Sequence, residues 1–429
     1  MSDWPSFTVA ELQAEGSLLV EDGNHGEYRP RPHEFVDVGT AFIRATDLSG
    51  GEVSFDSAGR IDLAALTRIR KGLGRPGDVL FSHKGTVGKL ARVPMNAPDF
   101  VCSPQTTFWR VLDENRLRRD YLYAFMRSRA FIDQWWARKG ETDMADYVSL
   151  TAQRQLRVSV PPIQVQARIA EPLAAMDDLI ETNRRRIGLL ERMAQAIYRE
   201  WFVRFRYPGH EDIALVPSPL GFIPDGWAWR TVAAESVVLA RGIAPKYADD
   251  GDSTVLNQKC IRNNRVSLRL ARRQSRAVPE DKHVQFGDVL VNSTGVGTLG
   301  RVAVFLERHR ALTADSHVTI VRPRETTANP WFGLSLINHQ ATFEALGTGS
   351  TGQTELSSHD IGAVQLARPP LDVQRSFAEI AWPLLGPISS FTAWNERLGV
   401  IRDLLLPKLV TGQIDVSDLD LDAVVESVA

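Results

Sequence analysis

The stretch Val160-Pro161-Pro162-Ile163-Gln164-Val165-Gln166 opens a segment that continues, without a strong stop signal, past Trp201. Behind it, apolar residues recur at alternating steps of three and four, the spacing of a helix with one narrow apolar seam. The seam consists of Leu173, Met176, Ile180, Ile187, Leu190, Ala194, Ile197 and Trp201, interrupted by the polar Asn183. Paired prolines suit a helix start, because the missing N–H would have no helical partner there. The stretch therefore predicts one long helix whose seam needs a partner.

The same pattern returns later in the chain. Arg368-Pro369-Pro370-Leu371-Asp372-Val373-Gln374 repeats the first stretch 208 positions on. The seam behind it consists of Phe377, Ile380, Leu384, Phe391, Trp394, Leu398, Ile401 and Leu405. Two ordinary amphipathic helices on separate cores would show similar spacing, but the matched prolines and matched seams favour a helix pair within the chain.

The duplication extends to the segments that precede these helices. Gly77-Asp78-Val79-Leu80 recurs as Gly287-Asp288-Val289-Leu290, 210 positions later, and Trp4 recurs as Trp227. Short strand-like runs alternate with turns, and helices are predicted from Arg119 to Trp136 and from Trp331 to Phe343. Each half thus predicts a mixed α/β globular unit followed by a long helix, and two copies predict a pseudo-twofold molecule.

Composition places the chain among ordinary folded proteins. Its 429 residues suffice for two or three domains, with 43% hydrophobic and 24% charged residues. No apolar run approaches the ~18 residues of a membrane span, and the first residues do not resemble a signal peptide. Cys102 and Cys260 are too few for a disulfide framework or a metal cluster, so we expect a cytoplasmic protein.

The net charge of −2 conceals an uneven distribution. Residues 60–92 hold eight Lys or Arg against two acids, and residues 259–276 hold seven and no acid. The tail, residues 413–429, carries only acidic charges. We therefore expect two basic surfaces and one acidic end, a pattern that is compatible with a nucleic-acid partner.

Two related loops are the first candidate DNA contacts. One runs from Ser82 to Lys89 with glycines at 85 and 88, and its counterpart runs from Asn292 to Arg301. Glycines let a backbone approach a ligand closely, hydroxyls and amides hydrogen-bond base edges, and Lys or Arg neutralises phosphate. A tight hairpin with solvated charges would explain a single copy, whereas recurrence beside a basic segment favours DNA contact. The candidate residues are Ser82, Lys84, Thr86, Lys89, Arg92, Asn292, Ser293, Thr294, Thr298 and Arg301.

A second polar, glycine-containing loop, residues 347–357, precedes the second long helix and corresponds to residues 138–143. Two interpretations stay open for it. Its backbone N–H groups would cradle a phosphate, or Ser357 or Ser358 would cap a helix. Its candidate DNA-binding residues are Ser350, Thr351 and Gln353.

Enzymatic motifs do not accompany these loops. Gly88-Lys89 is followed by Leu90 and lacks the upstream glycine of a nucleotide-binding loop. Pro161-Pro162 lacks the preceding Asn or Asp, and the aromatic residue, that amino-methyltransferases use to hold a flipped base. The nine histidines show no metal-ligand spacing. We therefore predict a chain with no catalytic residue, no metal site and no cofactor of its own.

A tandem of two units, each with Gly-Asp-Val-Leu and each closing on Pro-Pro and a long helix, resembles the specificity subunit of Type I restriction–modification enzymes. The resemblance spans Trp4 to about Gly412. It implies two α/β (α+β) target-recognition domains, residues 1–159 and 207–367, each reading one half of a split sequence in double-stranded DNA. It also implies that residues 160–206 and 368–412 form a pair of long antiparallel, coiled-coil-like helices that separates the two domains.

The resemblance further implies partners. Two adenine-methyltransferase subunits would dock on the helix pair, and endonuclease/translocase subunits would join outside them. S-adenosylmethionine, ATP and Mg would belong to those subunits. The seam residues of these partner-binding helices include Ile180, Ile187, Leu190, Leu398, Ile401 and Leu405.

Two rival functions remain at this point. A stand-alone DNA-processing enzyme, such as a fused nuclease, would need a carboxylate–metal or cofactor motif that we do not find. A two-module helical scaffold would bind proteins alone. Salt-dependent binding of duplex DNA in the presence of a methyltransferase partner separates the DNA reader from the scaffold.

Overall fold

The chain forms two compact units, the first built from two stretches of sequence and the second from one. The computed structural model describes residues 4–140, 146–324, 329–349 and 354–414. Unit 1 comprises Met1–Glu181 and Asn395–Ala429, and unit 2 comprises Thr182–Trp394. The boundary between the units falls inside both long helices, so each unit contains a globular part and a segment of each helix.

Unit 1 contains two sheets and two short strand pairs. Its main sheet is antiparallel, in the order Leu90–Arg92, Val79–Ser82, Thr106–Val111 and Leu18–Asp22. Its second sheet has the order Phe35–Val36, Gly59–Ile61, Thr40–Ile43, Phe100–Cys102 and Leu73–Gly74, with a parallel contact between Thr40–Ile43 and Phe100–Cys102. The short pairs are Ser6–Thr8 with Arg157–Ser159 and Leu48–Ser49 with Glu52–Val53.

Unit 2 repeats this plan. Its main sheet is antiparallel, in the order Val302–Val304, Val289–Asn292, Val318–Pro323 and Ser236–Arg241. Its second sheet has the order Arg272–Gln274, Ser253–Leu256 and Leu312–Ala314, and the last two strands are parallel. The short pairs are Ala228–Thr231 with Gln365–Arg368, Ile261–Arg262 with Arg265–Val266, and Leu215–Val216 with Ile223–Pro224. Strand order and direction in the two main sheets are therefore the same.

The helices complete each unit. Those of unit 1 are Val9–Ala14, Leu63–Arg68, Arg119–Met126, Arg129–Trp136 and Leu150–Arg154. Those of unit 2 are Asn329–Asn338, Gln340–Ala345 and Ser358–Ala363. The first long helix is Ile163–Tyr198, continued by a π-helical turn at Arg199–Val203, and the second is Leu371–Val410. The prediction of mixed α/β segments that each end in a long helix is confirmed.

The main sheets are buried on both faces, which explains their near-continuous apolar strands. In unit 1, Val79 and Phe81 pack into the helical core, whereas Leu80 packs into the core shared with the second sheet. In unit 2, Val289 and Val291 pack into the helical core and Leu290 into the other. Successive strand side chains point to opposite faces, so each strand supplies both cores.

The Pro-Pro…Gln repeats are explained by the glutamines, whose side chains are fully buried. Gln166 donates from Nε2 to the Pro161 carbonyl at 2.9 Å, and Gln374 donates to the Pro369 carbonyl at 2.8 Å. Gln166 Oε1 also accepts the Arg118 N–H at 2.8 Å. The glutamine therefore fixes the start of the long helix and, in unit 1, attaches it to the segment before Arg119–Met126.

The long helices run antiparallel within each unit. In unit 1, Met176 and Ile180 pack with Leu398, and Arg402 contacts Asp177 at 2.7 Å. In unit 2, Phe377 packs against Tyr198, Trp201 and Phe202, with ring centroids 4.8–6.3 Å apart. Rising residue numbers on one helix thus meet falling numbers on the other.

Three details of the helices differ from the sequence prediction. The segments predicted as single helices, 119–136 and 331–343, are each two shorter helices, broken at Arg127-Ser128 and at His339. On the second long helix, Ile380 and Trp394 are 41% and 44% exposed, while Ala381 and Ile388 are buried. Steps of three and four define two adjacent stripes on a helix, and spacing alone does not choose between them.

Candidate nucleic-acid interface

Loop 82–89 extends from the end of a main-sheet strand in unit 1. Lys84 pairs with Tyr147 as an isolated antiparallel bridge, and its ammonium lies 5.7 Å from the Tyr147 ring centroid. Val148 donates its N–H to the His83 carbonyl at 2.9 Å, and His83 donates its N–H to the Gln105 carbonyl, also at 2.9 Å. Lys84 and Gln105 are exposed. An ammonium, an amide and an aromatic ring are therefore brought together at one end of the sheet.

Loop 292–301 is built in the same way in unit 2. Thr294 pairs with Glu355, and Leu356 donates its N–H to the Ser293 carbonyl at 2.8 Å. Ser293 donates its N–H to the His317 carbonyl at 2.8 Å, and the Thr294 hydroxyl is hydrogen-bonded to His317 Nδ1 at 2.7 Å. A hydroxyl, an imidazole and a carboxylate thus meet at the equivalent end of the main sheet.

The strand beside each loop adds a fourth position. Asp22 pairs with Thr107 in unit 1, and Arg241 pairs with Thr319 in unit 2. Asp22 is hydrogen-bonded to His25 at 3.2 Å, whereas Arg241 forms an ion pair with Glu355 at 2.6 Å. The backbone framework is shared, but this position carries an acid in unit 1 and a cation in unit 2.

A serine cap holds the incoming segment in both units. Ser149 accepts the Ala152 N–H at 3.0 Å, and Ser357 accepts the Asp360 N–H at 3.0 Å. The capping interpretation of the polar loop before the second long helix is therefore confirmed for Ser357. Ser350, Thr351 and Gln353 lie outside the described residues, so their predicted DNA contact stays a prediction.

His83 supports loop 82–89 from beneath. Its side chain is fully buried, Nδ1 is hydrogen-bonded to the Val148 carbonyl at 3.3 Å, and Nε2 has no hydrogen-bond partner among the described residues. Burial lowers the pKa of His83 to about 4 against the opposing influence of Asp22. The imidazole is therefore neutral at pH 7, and the positive charge of this loop comes from lysine.

Three of the predicted DNA-binding residues are buried supports of the loops. The Ser82 hydroxyl accepts the Lys89 N–H at 2.8 Å. Asn292 Nδ2 donates to the Gln258 and Thr298 carbonyls at 3.0 and 3.1 Å, and the Ser293 and Thr319 hydroxyls are hydrogen-bonded at 2.6 Å. Because these three side chains are fully buried, their role is to shape the loops.

The remaining predicted DNA-binding residues of the described structure differ in how far other residues hold them. Arg92 forms ion pairs with Asp120 and Asp178, and Lys89 Nζ donates to the Ala45 carbonyl at 2.8 Å, so both are held by the fold. Lys84 and Thr86 are exposed at the tip of loop 82–89. Thr298 and Arg301 are half-buried in loop 292–301, where Arg301 donates to the Gly297 carbonyl at 2.7 Å.

The basic segment 259–276 exposes six of its seven cations and adjoins loop 292–301. The Gln258 carbonyl accepts from Asn292 at 3.0 Å, which joins the start of the segment to the loop. The guanidinium of Arg272 lies 3.8 Å from the ring centroid of the exposed Tyr247. Arg265 instead forms an ion pair with Glu191 at 2.5 Å. The exposed cations are Lys259, Arg262, Arg269, Arg272, Arg273 and Arg276.

The residues predicted to belong to partner-binding helices lie at buried or half-buried positions of the two long helices. Ile180, Ile187 and Leu398 are buried, and Leu190, Ile401 and Leu405 are half-buried. Other apolar side chains on the same helices are between 39% and 62% exposed. These are Leu179, Val400 and Leu404 in unit 1, and Leu189, Met193, Ile380 and Trp394 in unit 2.

Sequence reasoning missed the positions that pair with the loops. Tyr147 and Glu355 lie 208 residues apart, the offset of the Pro-Pro repeat, and each stands two residues before a capping serine. That shared position was the available signal. Gln105 and His317 carried no comparable signal, because each becomes a neighbour of its loop only through sheet pairing.

Metal sites and membrane-spanning helices can be assessed for the described residues. Across 4–140, 146–324, 329–349 and 354–414, no group of three or more His, Cys, Asp or Glu side chains is placed to hold a metal ion. The helices of these ranges include none that is both long and apolar enough to cross a membrane.

Comparison with solved structures identifies the fold. The chain matches the crystal structure of a Type I restriction–modification system S subunit from M. genitalium with a TM-score of 0.62 and 14% identity. The match covers 95% of this chain and 96% of that one. The fold is thus that of a Type I specificity subunit, with two mixed α/β segments in tandem and a pair of long antiparallel helices.

Curated relatives agree with the structural match. The Type I restriction enzyme MjaIX specificity subunit of Methanocaldococcus jannaschii is 22% identical over 348 residues, covering 78% of this chain and 79% of the relative. The HindI specificity subunit of Haemophilus influenzae is 19% identical over 490 residues, covering 96% and 100%. No protein-family model matches the chain. The resemblance to Type I specificity subunits is confirmed, and this chain is a homologue of those non-catalytic subunits.

Proposed function

We propose that this chain reads a two-part sequence in double-stranded DNA for a Type I restriction–modification complex. Residues 1–159 and 207–367 act as target-recognition domains, one for each half-sequence. The observation that carries the proposal is that one loop framework occurs in both units with different exposed polar side chains. A shared framework with variable readers fits two modules that recognise two different short sequences.

Contacts to phosphate and contacts to bases have different sources on this surface. Thr86 and the exposed cations of 259–276 hydrogen-bond or neutralise phosphate, and the positive charge of Lys84 helps to steer the duplex. Thr294, Thr298 and Arg301 are half-buried within loop 292–301. In the proposal they make the shorter-range contacts, those to the bases. Ser350, Thr351 and Gln353 stay proposed DNA contacts on the ground of sequence alone.

The long helices are the proposed docking site for two adenine-methyltransferase subunits. Their exposed apolar side chains need cover, since large apolar residues on the outer faces of a helix pair mark an interaction surface. Leu179, Val400 and Leu404 would serve one subunit, and Leu189, Met193 and Trp394 the other. Helices of the methyltransferase that present matching apolar stripes are the expected occupants.

Endonuclease/translocase subunits would join this core from outside. S-adenosylmethionine, ATP and Mg belong to the partner subunits in this proposal. We place the complex in the cytoplasm, where its DNA target lies, and we assign no role to the acidic tail, residues 413–429.

The two rival functions make different predictions. A stand-alone enzyme would require turnover by this polypeptide alone, and we expect the purified chain neither to methylate nor to cleave DNA. A scaffold would bring partners together without contacting the duplex.

Binding of a fluorescent duplex to the purified methyltransferase complex, with and without this chain, tests the proposal. We expect binding that requires the chain and weakens steeply with salt. Binding that is unaffected by omission of the chain, or turnover by the chain alone, would contradict the proposal.

A further inference from the structure

Four equivalent positions surround the loop at the end of each main sheet. In unit 1 they are Lys84, Gln105, Tyr147 and Asp22, and in unit 2 they are Thr294, His317, Glu355 and Arg241. Backbone hydrogen bonds fix the equivalence, because the same N–H groups and carbonyls pair in both units at 2.8–2.9 Å. The side chains at these positions therefore differ on a backbone that does not.

Unit 1 presents a hydrogen-bond donor, the ammonium of Lys84, at its loop. The Lys84 ammonium rests over the Tyr147 ring, which orients it without neutralising it. The acidic residue among these four positions, Asp22, is buried and hydrogen-bonded to His25. The exposed charge of the cluster is thus the Lys84 ammonium, a hydrogen-bond donor, beside the Gln105 amide.

Unit 2 presents an acceptor, Glu355, at the position that Tyr147 occupies in unit 1. Glu355 is held by Arg241 at 2.6 Å, yet its side chain remains 56% exposed. Arg241 also donates to the Leu356 carbonyl at 3.0 Å, so the arginine is fixed by the segment that carries the glutamate. The arrangement leaves a carboxylate that is more than half exposed beside the guanidinium of Arg241.

A carboxylate on a surface that binds DNA must find a partner other than phosphate. Phosphates repel it, so it is unfavourable as a contact to the backbone of the duplex. Base edges offer it a partner, because the N4 amino group of cytosine donates into the major groove. A lysine on such a surface instead donates to the O6 and N7 acceptors of guanine.

We infer that Glu355 and Lys84 are specificity-determining residues of opposite chemistry. Glu355 reads a cytosine through its amino group in the half-sequence of unit 2, and Lys84 reads a guanine in the half-sequence of unit 1. Arg241 is a positioning residue for Glu355. The inference rests on the proposed function and assigns bases and residues within it.

Replacing each reader by glutamine gives a directed test, because glutamine prefers the N6 and N7 atoms of adenine. The full chain is co-expressed with its methyltransferase subunits, and the methylated sequences of the host DNA are mapped. Glu355→Gln should change one position of one half-sequence from cytosine to adenine. Lys84→Gln should change one guanine of the other half-sequence to adenine. Discrimination at the altered position should shift by about 5-fold to 100-fold.

Glu211→Gln is the matched control. It makes the same carboxylate-to-amide change on a side chain of unit 2 that is 71% exposed and outside the cluster. The control should leave both half-sequences unchanged, and the unaffected half-sequence in each variant reports that the complex still assembles.

The outcomes separate the inference from the proposed function. A two-part methylated sequence that Glu355→Gln leaves unchanged overturns the inference alone, as does a change of the same half-sequence by both variants. Absence of any chain-dependent methylated sequence overturns the proposed function and the inference together.

A variant that abolishes methylation is resolved by a binding measurement. The purified complex is tested on duplexes in which each position of the half-sequence is changed in turn. A cytosine-to-adenine switch at one position supports the inference, and equal weakening on every duplex overturns it.

Discussion

Asp78 accepts two hydrogen bonds from the guanidinium of Arg110, at 2.7 and 2.8 Å, deep in unit 1. The same carboxylate accepts the Arg75 N–H at 2.8 Å and is fully buried. Asp288 and Arg322 repeat this geometry in unit 2 with two bonds of 2.8 Å. The aspartate of the repeated Gly-Asp-Val-Leu motif is therefore a structural anchor that joins two strands of the main sheet to the turn before them.

Removing this anchor should be costly. Asp78→Ala leaves the Arg110 charge buried without its partner, and we expect unit 1 to lose about 3–5 kcal/mol of stability. Asp133→Ala is the control, since Asp133 and Arg129 form an ion pair with 70% and 80% exposed side chains, and it should change stability by less than about 1 kcal/mol. Denaturant unfolding followed by tryptophan fluorescence measures both, and equal effects would show that the buried pair is not an anchor.

His83 should make stability depend on pH. Its pKa is about 4 in the folded chain and 6.5 ordinarily, so the unfolded chain binds the proton first as the pH falls. The stability that His83 contributes by remaining neutral is fully present above pH 6.5 and is lost as the pH falls towards 4. At 1.36 kcal/mol per pH unit, the loss of stability is about 2 kcal/mol at pH 5.

A variant isolates that contribution. His83→Asn removes the titrating group, so its unfolding free energy should change less between pH 7 and pH 5 than that of the unaltered chain. Asp22, His25 and Lys84 are the charged or titratable groups near His83, and they are retained in the variant. Identical pH dependence in both proteins would show that another group is responsible.

Lys84 should contribute one positive charge to DNA binding. Lys84→Ala is expected to reduce the slope of log affinity against log salt by roughly one. Arg129→Ala removes a charge of the same sign from an exposed helix position and should leave the slope unchanged. If the two variants behave alike, loop 82–89 is a hairpin and not a DNA contact.

The proposed spacing function of the long helices is testable by insertion. Four residues add about 6 Å and nearly a whole number of turns, against ~3.4 Å per base pair of DNA. Inserting four helix-forming residues after Ile187 and four after Ser390 keeps the pair matched, because Arg186 lies over the Phe391 ring at this level of unit 2. The gap between the half-sequences should lengthen by about one or two base pairs.

Two-residue insertions at the same sites are the control. They rotate each helix face by about 200°, so assembly and methylation should fail. In the four-residue variant, an unchanged gap with altered half-sequences would show that the helices do not set the spacing.

The sequence predicted those parts of the fold that repeat with a fixed offset. The Pro-Pro…Gln and Gly-Asp-Val-Leu repeats located both long helices and one strand of each main sheet, because local spacing and proline chemistry determine them. The buried orientation of the Ser82 and Ser293 hydroxyls was not predictable. Side chains alternate between the two faces along a strand, and this alternation ends where the loop begins.

The paired positions of the candidate site were out of reach for a different reason. Lys84 meets Tyr147, and Thr294 meets Glu355, across more than 60 residues of chain in each unit. Such contacts depend on how a sheet end and an incoming segment pack, and the sequence carried only the capping serines as a trace of them. The buried partners Arg110 and Arg322 were missed for the same reason.

Mapping of methylated bases in cells that carry the methyltransferase subunits, with and without this chain, tests directly whether the chain reads a two-part sequence. We expect methylation of one two-part sequence, with a fixed gap between its halves, that appears only when the chain is present. Methylation that is the same in its absence, or a chain-dependent sequence that is a single continuous block, would contradict it.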